Sequence, residues 1–102
     1  MAIRVIVEDE QRREIASMDD PNNVLHRLLP RPEDTAWECL NRIDWYGETL
    51  FNRYQVPLVR KELSRLMAAL DTAPEVQFVR QIAALAERCG EEPHLYLRFS
   101  GD

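Results

Sequence analysis

Cys39, His26 and His94 are the side chains of this sequence that could form a nucleophile and its base. A cysteine attacks electrophilic carbon as a thiolate, and a nearby imidazole can accept its proton. No local motif surrounds Cys39, and apolar Trp37 and Leu40 lie close to it in the chain, as is typical of a buried structural thiol. We therefore predict no catalytic residue and no enzymatic activity.

Metal and cofactor sites also lack their usual sequence signatures. The residues that commonly bind metals lie far apart in the chain: His26, Cys39, Cys89 and His94. Zinc motifs contain close pairs of ligands, which are missing here. No glycine-rich loop is present to hold a phosphate, because the glycines are isolated at Gly47, Gly90 and Gly101. We expect neither a metal nor a cofactor.

The segment from 33 to 48 combines acidic and aromatic side chains. The segment contains one arginine, Arg42, and five acidic residues: Glu33, Asp34, Glu38, Asp44 and Glu48. Aromatic anchors supply much of the affinity at protein interfaces, and charges of one sign speed association with an oppositely charged partner. We therefore predict a surface for a basic protein, with partner-binding residues at Trp37, Glu38, Asp44, Trp45, Tyr46 and Glu48.

Two other interpretations of this segment stay open. In the first, Trp37 packs in the core, Asp44 only builds a turn, and the carboxylates are simply solvated, because most aromatic residues are structural. In the second, Asp44 and Glu48 act as a general acid–base pair. The second interpretation has little specificity, since any acidic turn presents two carboxylates.

The net charge of −5 argues against nucleic acid as a partner, because a phosphate backbone repels an acidic protein. The first 51 residues contain six basic and eleven acidic residues, whereas the remaining residues contain seven of each. The apolar run near the N-terminus is too short for a signal peptide, and no segment is long enough to span a membrane. We expect a cytoplasmic protein with reduced cysteines and no membrane association.

The first third of the chain predicts a hairpin and a short helix. Residues 3–7 and 12–17 read as strands joined by a polar turn. A short helix over 10–18 is the alternative, but it would have no apolar stripe. The next helix should run from Pro21 at its first position to about Leu29, with Asp20 as its cap. Prolines at 30 and 32 end it and form a connector.

A second hairpin is predicted from strands over 36–43 and 48–52. Asp44 and Gly47 suit a type I turn in which the glycine takes a positive φ. Further along, the apolar stripe over 58–70 predicts a helix, with the charged residues at 60, 61, 62 and 65 on the opposite face.

The last third of the chain predicts a second long helix and a final strand. Thr72 and Glu75 form a capping box, and an apolar stripe over 76–89 predicts the helix that follows, which should end at a left-handed Gly90. Residues 94–99 alternate as a strand with one buried face.

These elements predict a single α+β domain over residues 1–102. The order ββα-ββ-αα-β implies a mainly antiparallel sheet of about five strands, with the helical hairpin and the short helix packed on one face. The chain has 45% hydrophobic residues, which is enough for one core at a mass of 12.0 kDa.

In its proportions the chain resembles small bacterial inhibitor proteins such as immunity proteins and antitoxins, although no motif carries the resemblance. It implies a non-enzymatic protein–protein interaction module, most concretely an acidic inhibitor of a basic partner. One alternative is a small enzyme or ligand-binding domain with a pocket between sheet and helices, where Cys39, His94, Tyr96 and Arg98 would converge. Another is a structural homo-oligomeric subunit, for example a homodimer formed through an unpaired sheet edge.

Overall fold

The computed structural model describes residues 2–101 and has an α+β fold. Four antiparallel strands form one sheet in the order β2-β1-β4-β3. The strands are β1 (Arg4–Glu8), β2 (Glu14–Met18), β3 (Glu48–Phe51) and β4 (Tyr96–Ser100). The helices are α1 (Val24–Leu28), α2 (Val56–Ala68), α3 (Ala73–Gly90) and a short 3₁₀ helix (Leu40–Arg42). The predicted fold class is confirmed, with four strands where about five were expected.

The first hairpin, β1 and β2, is confirmed, and its turn is organised by Asp9. The Asp9 carboxylate accepts hydrogen bonds from the backbone N–H groups of Gln11 and Arg13, both at 2.9 Å. Arg12 N donates to Asp9 O, and Arg12 has a φ of 64°. Glycine is usually preferred in this left-handed conformation. The side-chain bonds of Asp9 therefore support a turn that its sequence does not favour.

The predicted second hairpin is wrong in its first half. Residues 36–43 form a loop and the 3₁₀ helix, and only β3 is a strand. Cys39, Leu40 and Ile43 are buried together, a spacing that fits a helical turn better than an extended chain. Gly47 follows Asp44 in a turn as expected, but it has no positive φ, nor does any other glycine within residues 2–101.

Two helix boundaries also differ from the sequence prediction. α1 begins at Val24, three residues after Pro21, and the Asp20 carboxylate caps it as predicted by accepting from Val24 N and Leu25 N, both at 2.8 Å. Gly90 is the last residue of α3 with ordinary helical geometry, so it is no left-handed stop.

The helical hairpin of α2 and α3 is confirmed, as is the Thr72 cap, whose hydroxyl oxygen accepts from Glu75 N. α3 packs against β1, β4 and β2, which defines a covered face of the sheet. Val7, Leu97 and Phe99 are fully buried on this face. No helix within residues 2–101 has an apolar stretch long enough to cross a membrane.

The other face of the sheet, which we call the open face, contains Ile6, Glu8, Glu48 and Arg98. Successive residues of a strand point to opposite faces, so the register places these side chains on the side away from the main core. Ile6 and Glu8 are nevertheless buried.

Candidate interaction surface

The six residues predicted to bind a partner lie in three separate places. Asp44, Trp45 and Tyr46 form the turn that precedes β3. Glu48 points to the open face of the sheet, where it contacts β4. Trp37 and Glu38 lie before the 3₁₀ helix and contact α2. The structure therefore brings together only the first three.

The turn at Asp44 is held by its own side chains. Asp44 N donates to Thr49 Oγ1 at 2.9 Å, and Tyr46 N donates to Asp44 Oδ1 at 2.9 Å. A side chain at Gly47 would place its Cβ 2.6 Å from Asp44 Oδ2. The Asp44 carboxylate therefore folds over a glycine and fixes the direction of the residues between them.

Trp45 and Tyr46 have different roles in this turn. Trp45 is half-buried against the core, and its ring lies 4.9 Å from the His26 ring of α1, measured between centroids. Tyr46 touches the same histidine edge-on at 6.5 Å but is 62% exposed. Trp45 thus supports the turn, whereas Tyr46 is presented to solvent.

An open groove of about 510 Å³ lies beside this turn and is lined by Pro32 and residues 41–46. Asn41 Nδ2 donates to Asp34 O at 3.0 Å, which places the acidic residues 33 and 34 at the rim. The carboxylates of Glu33, Asp34 and Asp44 are exposed and form no salt bridge with any described residue. The groove therefore has an apolar floor and a negatively charged rim.

Two buried polar atoms near the turn have no hydrogen-bond partner in the part of the chain that the structure describes. They are Asn41 Oδ1 and His26 Nε2. Buried polar atoms are normally hydrogen-bonded, so both are exceptions.

Glu48 is occupied by contacts on the open face. Ser100 Oγ donates to Glu48 Oε2 at 2.6 Å, and Arg98 forms an ion pair with the same carboxylate. The Ser100 hydroxyl first and then Arg98 lower the pKa of Glu48 below its usual value. Arg98 also bonds Glu8 at 2.8 Å. The charge of Glu48 is therefore compensated within the sheet.

Trp37 is covered by a cation. The Arg65 guanidinium carbon lies 4.0 Å from the centre of the Trp37 ring, and Arg65 Nη1 donates to Ala36 O at 2.7 Å. Trp37 also packs against the core. The interpretation of Trp37 as a structural residue therefore fits its surroundings.

Glu62 is an important residue that the sequence prediction placed wrongly. It was expected on the exposed face of α2, but it is only 6% exposed. Its carboxylate accepts from the N–H groups of Glu38, Cys39 and Leu40 at 2.7, 3.1 and 2.9 Å. Its position three residues after Val59 on the apolar side of α2 was a signal that it could be buried. Glu62 fixes the start of the 3₁₀ helix.

The residues of the alternative pocket do not converge. Arg98 and Tyr96 belong to the open face, whereas Cys39 is buried on the covered side. His94 is exposed, with Nδ1 3.7 Å from Glu10. Burial raises the pKa of Cys39 and, more strongly, that of Cys89, to about 12. Among residues 2–101, no three His, Cys, Asp or Glu side chains could jointly hold a metal ion.

No family model, curated protein or solved structure matches this chain. What the groove and the adjacent turn could bind is therefore inferred from their own residues. A rigid exposed ring and unpaired carboxylates suit contact with a cationic surface, since such a surface supplies both apolar stems and positive charge.

Proposed function

We propose that this chain is a non-enzymatic protein-binding module, in its most concrete form a small acidic inhibitor of the immunity type. It would bind a basic protein through the surface centred on Tyr46. The observation that carries the proposal is the 62% exposure of Tyr46 on a turn fixed by the Asp44 carboxylate. A rigid aromatic side chain loses little conformational entropy on binding, so it contributes strongly to affinity.

Charge supports a basic partner for this surface. Glu33, Asp34 and Asp44 lie around the groove and have no ion-pair partners among the described residues. Arg42 is the basic residue in the lining of the groove, so the three carboxylates outnumber the positive charge there. The net charge of −5 adds long-range attraction toward a cationic protein. Association should therefore be fast at low salt and slower as salt rises.

The proposed contributions of the six predicted residues are unequal. Tyr46 and Asp44 would contact the partner directly, and Trp45 would hold Tyr46 in place. Glu48 is engaged by Arg98 and Ser100, and Trp37 is covered by Arg65, so both would contribute little. Glu38 would add to the negative field from its exposed position.

The test compares three baits in parallel captures from host lysate: wild type, Tyr46→Ala and Tyr54→Ala. Tyr54 is the matched control, because it is an even more exposed tyrosine, at 81%, beyond the other end of β3. We expect one basic protein to be captured by wild type and Tyr54→Ala and to be lost with Tyr46→Ala. Titration with the purified partner should then show a loss of about 2 kcal/mol for Tyr46→Ala.

Two results would contradict this proposal. One is a captured partner whose affinity is unchanged by Tyr46→Ala. The other is affinity that does not fall as salt rises, since the acidic rim would then have no part in binding. The melting temperature of Tyr46→Ala is the folding control and should stay close to that of wild type, because the ring is mostly exposed.

A further inference from the structure

The outer edge of β3 exposes backbone groups that are not part of the sheet ladder. Gly101 N donates to Gly47 O, which makes these opposite residues a hydrogen-bonded pair. Such pairs alternate with non-hydrogen-bonded pairs along an antiparallel ladder. The N–H and C=O groups of Thr49 therefore face β4, whereas those of Glu48 and Leu50 face outward. No described residue outside the ladder hydrogen-bonds to them.

The side chains at this edge are unusually apolar. Leu50, in the middle of β3, is 51% exposed. Tyr46 and Tyr54 flank the strand, and Tyr54 is 81% exposed. Among residues 2–101, four large hydrophobic side chains are exposed, and three of them are Tyr46, Leu50 and Tyr54. The other, Ile15, lies on β2. An apolar edge strand with free backbone groups readily pairs with another strand.

The charges at the two ends of β3 are opposite. Asp44 precedes the strand and Arg53 follows it, and neither forms a salt bridge with another residue of the described chain. The Arg53 guanidinium lies over the Tyr54 ring at 5.3 Å. In an antiparallel pair of identical strands, the start of each strand meets the end of the other. Asp44 of one copy would then lie near Arg53 of the second copy, at both ends of the interface.

The remaining charge on the strand does not oppose this pairing. Glu48 already forms an ion pair with Arg98 and accepts from Ser100. A second copy of β3 would therefore meet no uncompensated carboxylate in the centre of the interface.

The β2 edge also exposes backbone groups and one large apolar side chain, Ile15, but its ladder is interrupted. A register shift between Val7 and Glu8 leaves Ile15 without a partner in the ladder. Bulges of this kind interrupt an edge and hinder pairing with other strands. The ion pairs of Arg4 with Glu14 and of Arg13 with Asp9 further surround this edge with charge.

We infer that the chain forms a homodimer in which β3 pairs antiparallel with β3 of a second copy across a two-fold axis. The inference goes beyond the proposed function and does not depend on it. Glu48 and Leu50 of each copy supply the backbone hydrogen bonds, Leu50 supplies the apolar contact, and Asp44 and Arg53 supply the charge complementarity. Because the strand is only four residues long, the dimer is weak and concentration-dependent.

Sedimentation equilibrium of the purified chain tests this inference. The wild-type mass should rise from 12.0 kDa toward twice that value as the concentration increases through the micromolar range. Leu50→Lys should stay monomeric, because a charged side chain blocks strand pairing at an edge. Ile15→Lys is the matched control at the other edge and should dimerise like wild type.

The charge pairing has its own test. Arg53→Glu should weaken the dimer several-fold by placing two carboxylates together at each end, whereas Arg80→Glu, with the same change in net charge, should have a smaller effect. Asp44→Asn should restore part of the affinity in the Arg53→Glu background, since asparagine can still accept from Tyr46 N.

Amide hydrogen exchange of the wild type keeps the inference testable even if Leu50→Lys fails to fold. The Glu48 and Leu50 amides should exchange more slowly as concentration rises, while the outward-facing Ser17 amide on β2 should not change. A wild type that is monomeric at all concentrations, or a folded Leu50→Lys that dimerises normally, would overturn the inference. Asp44 takes part in both proposals, but Leu50→Lys tests only the dimer and Tyr46→Ala tests only capture of a basic partner, so the two proposals can fail separately.

Discussion

The two faces of the sheet bury their central side chains by different means. On the covered face, Leu97 and Phe99 are fully buried beneath α3. On the open face, Ile6 and Glu8 are buried almost as deeply although no long helix lies over them. Arg98, opposite Ile6 in the register, extends across this face and binds the carboxylates of Glu8 and Glu48.

The difference shows that long polar side chains can protect a sheet face when their charges are paired. An apolar face is stabilised by area removed from water, a contribution that changes little with pH or salt. The open face depends instead on a guanidinium that two carboxylates share, so its stability should depend on protonation. Mutations on the two faces should therefore differ in size and in their response to pH.

The largest effect should come from Phe99→Ala on the covered face. The Phe99 ring packs edge-to-face on Phe51 with centroids 5.9 Å apart and is fully buried. Its removal should lower the free energy of unfolding by about 4 kcal/mol, because it leaves a cavity. Urea denaturation measures this loss of unfolding free energy.

Leu50→Ala on the open face is the control and should cost less than about 1 kcal/mol when the chain is monomeric. If Phe99→Ala and Leu50→Ala lose the same unfolding free energy, the contrast between the two faces is wrong.

Glu62→Ala should have the next largest effect. It tests whether a carboxylate buried on the helix side is as important as the apolar side chains there. The variant leaves three buried or half-buried N–H groups without an acceptor, and we expect a loss of about 3 kcal/mol. Glu62→Gln keeps an acceptor oxygen and should cost less. A cost no larger than that of Glu87→Ala, an exposed position on α3, would show that the cap is unimportant.

Arg98→Met should cost about 2 kcal/mol, because it removes the charged hydrogen bond to a buried carboxylate. The informative measurement is the double variant Glu8→Met with Arg98→Met. Replacing both members of a buried pair by apolar side chains is often tolerated, so most of the lost stability should return. If the double variant is less stable than Arg98→Met alone, Arg98 acts mainly through packing.

Acidification should weaken the open face selectively. The pKa of Glu48 is lowered in the folded protein by Ser100 and Arg98, and that of Glu14 by Ser17 and Arg4. A lowered folded-state pKa contributes stability above the unfolded value of 4.5, and this contribution is lost as pH falls through the folded value. The melting temperature of Glu48→Gln should therefore fall less than that of wild type between neutral pH and about pH 3. If the melting temperatures of the two proteins fall by the same amount over this pH range, the prediction is wrong.

Arg4→Ala should have the smallest effect. Arg4 pairs with Glu14 at 3.0 Å and with Asp19 at 3.1 Å, but all three side chains are exposed. Solvent-exposed ion pairs contribute little, so we expect a loss below about 0.5 kcal/mol. A larger loss, measured by urea denaturation at low and moderate salt, would mean that the ionic network of the open face extends to the sheet edge.

The regular elements were predictable where the signal was local. Two long apolar stripes predicted α2 and α3, and alternation predicted β4, because each pattern repeats within a single element. The Asp20 and Thr72 caps were predictable for the same reason, since a capping side chain bonds a backbone group a few residues away.

The prediction failed where distant residues decide the conformation. Residues 36–43 were expected as a strand because Asp44 and Gly47 suit the turn of a hairpin, which needs a strand on each side. Glu62, more than twenty positions away, instead binds three consecutive N–H groups and fixes a 3₁₀ turn. The missing fifth strand and the burial of Glu62 therefore have one cause, a long-range carboxylate contact that leaves no periodic trace in the sequence.

The candidate surface was predictable only in part. Sequence alone identified an acidic, aromatic segment and correctly expected a turn at Asp44. It did not show that Tyr46 is exposed while Trp45 is half-buried beside His26, because these neighbours differ only in which side of the turn they face. It also gave no reason to separate Glu48, which pairs with Arg98 fifty positions later.

The sequence by itself thus determined the charge, the α+β class and the positions of the long helices, because composition and short-range periodicity specify them. The tertiary structure decided which carboxylates remain unpaired, which aromatic ring is presented and which strand is left at an edge. These properties depend on contacts between residues far apart in the chain. The edge of β3 is the clearest case: its outward groups follow from a register with β4, and only the completed sheet fixes that register.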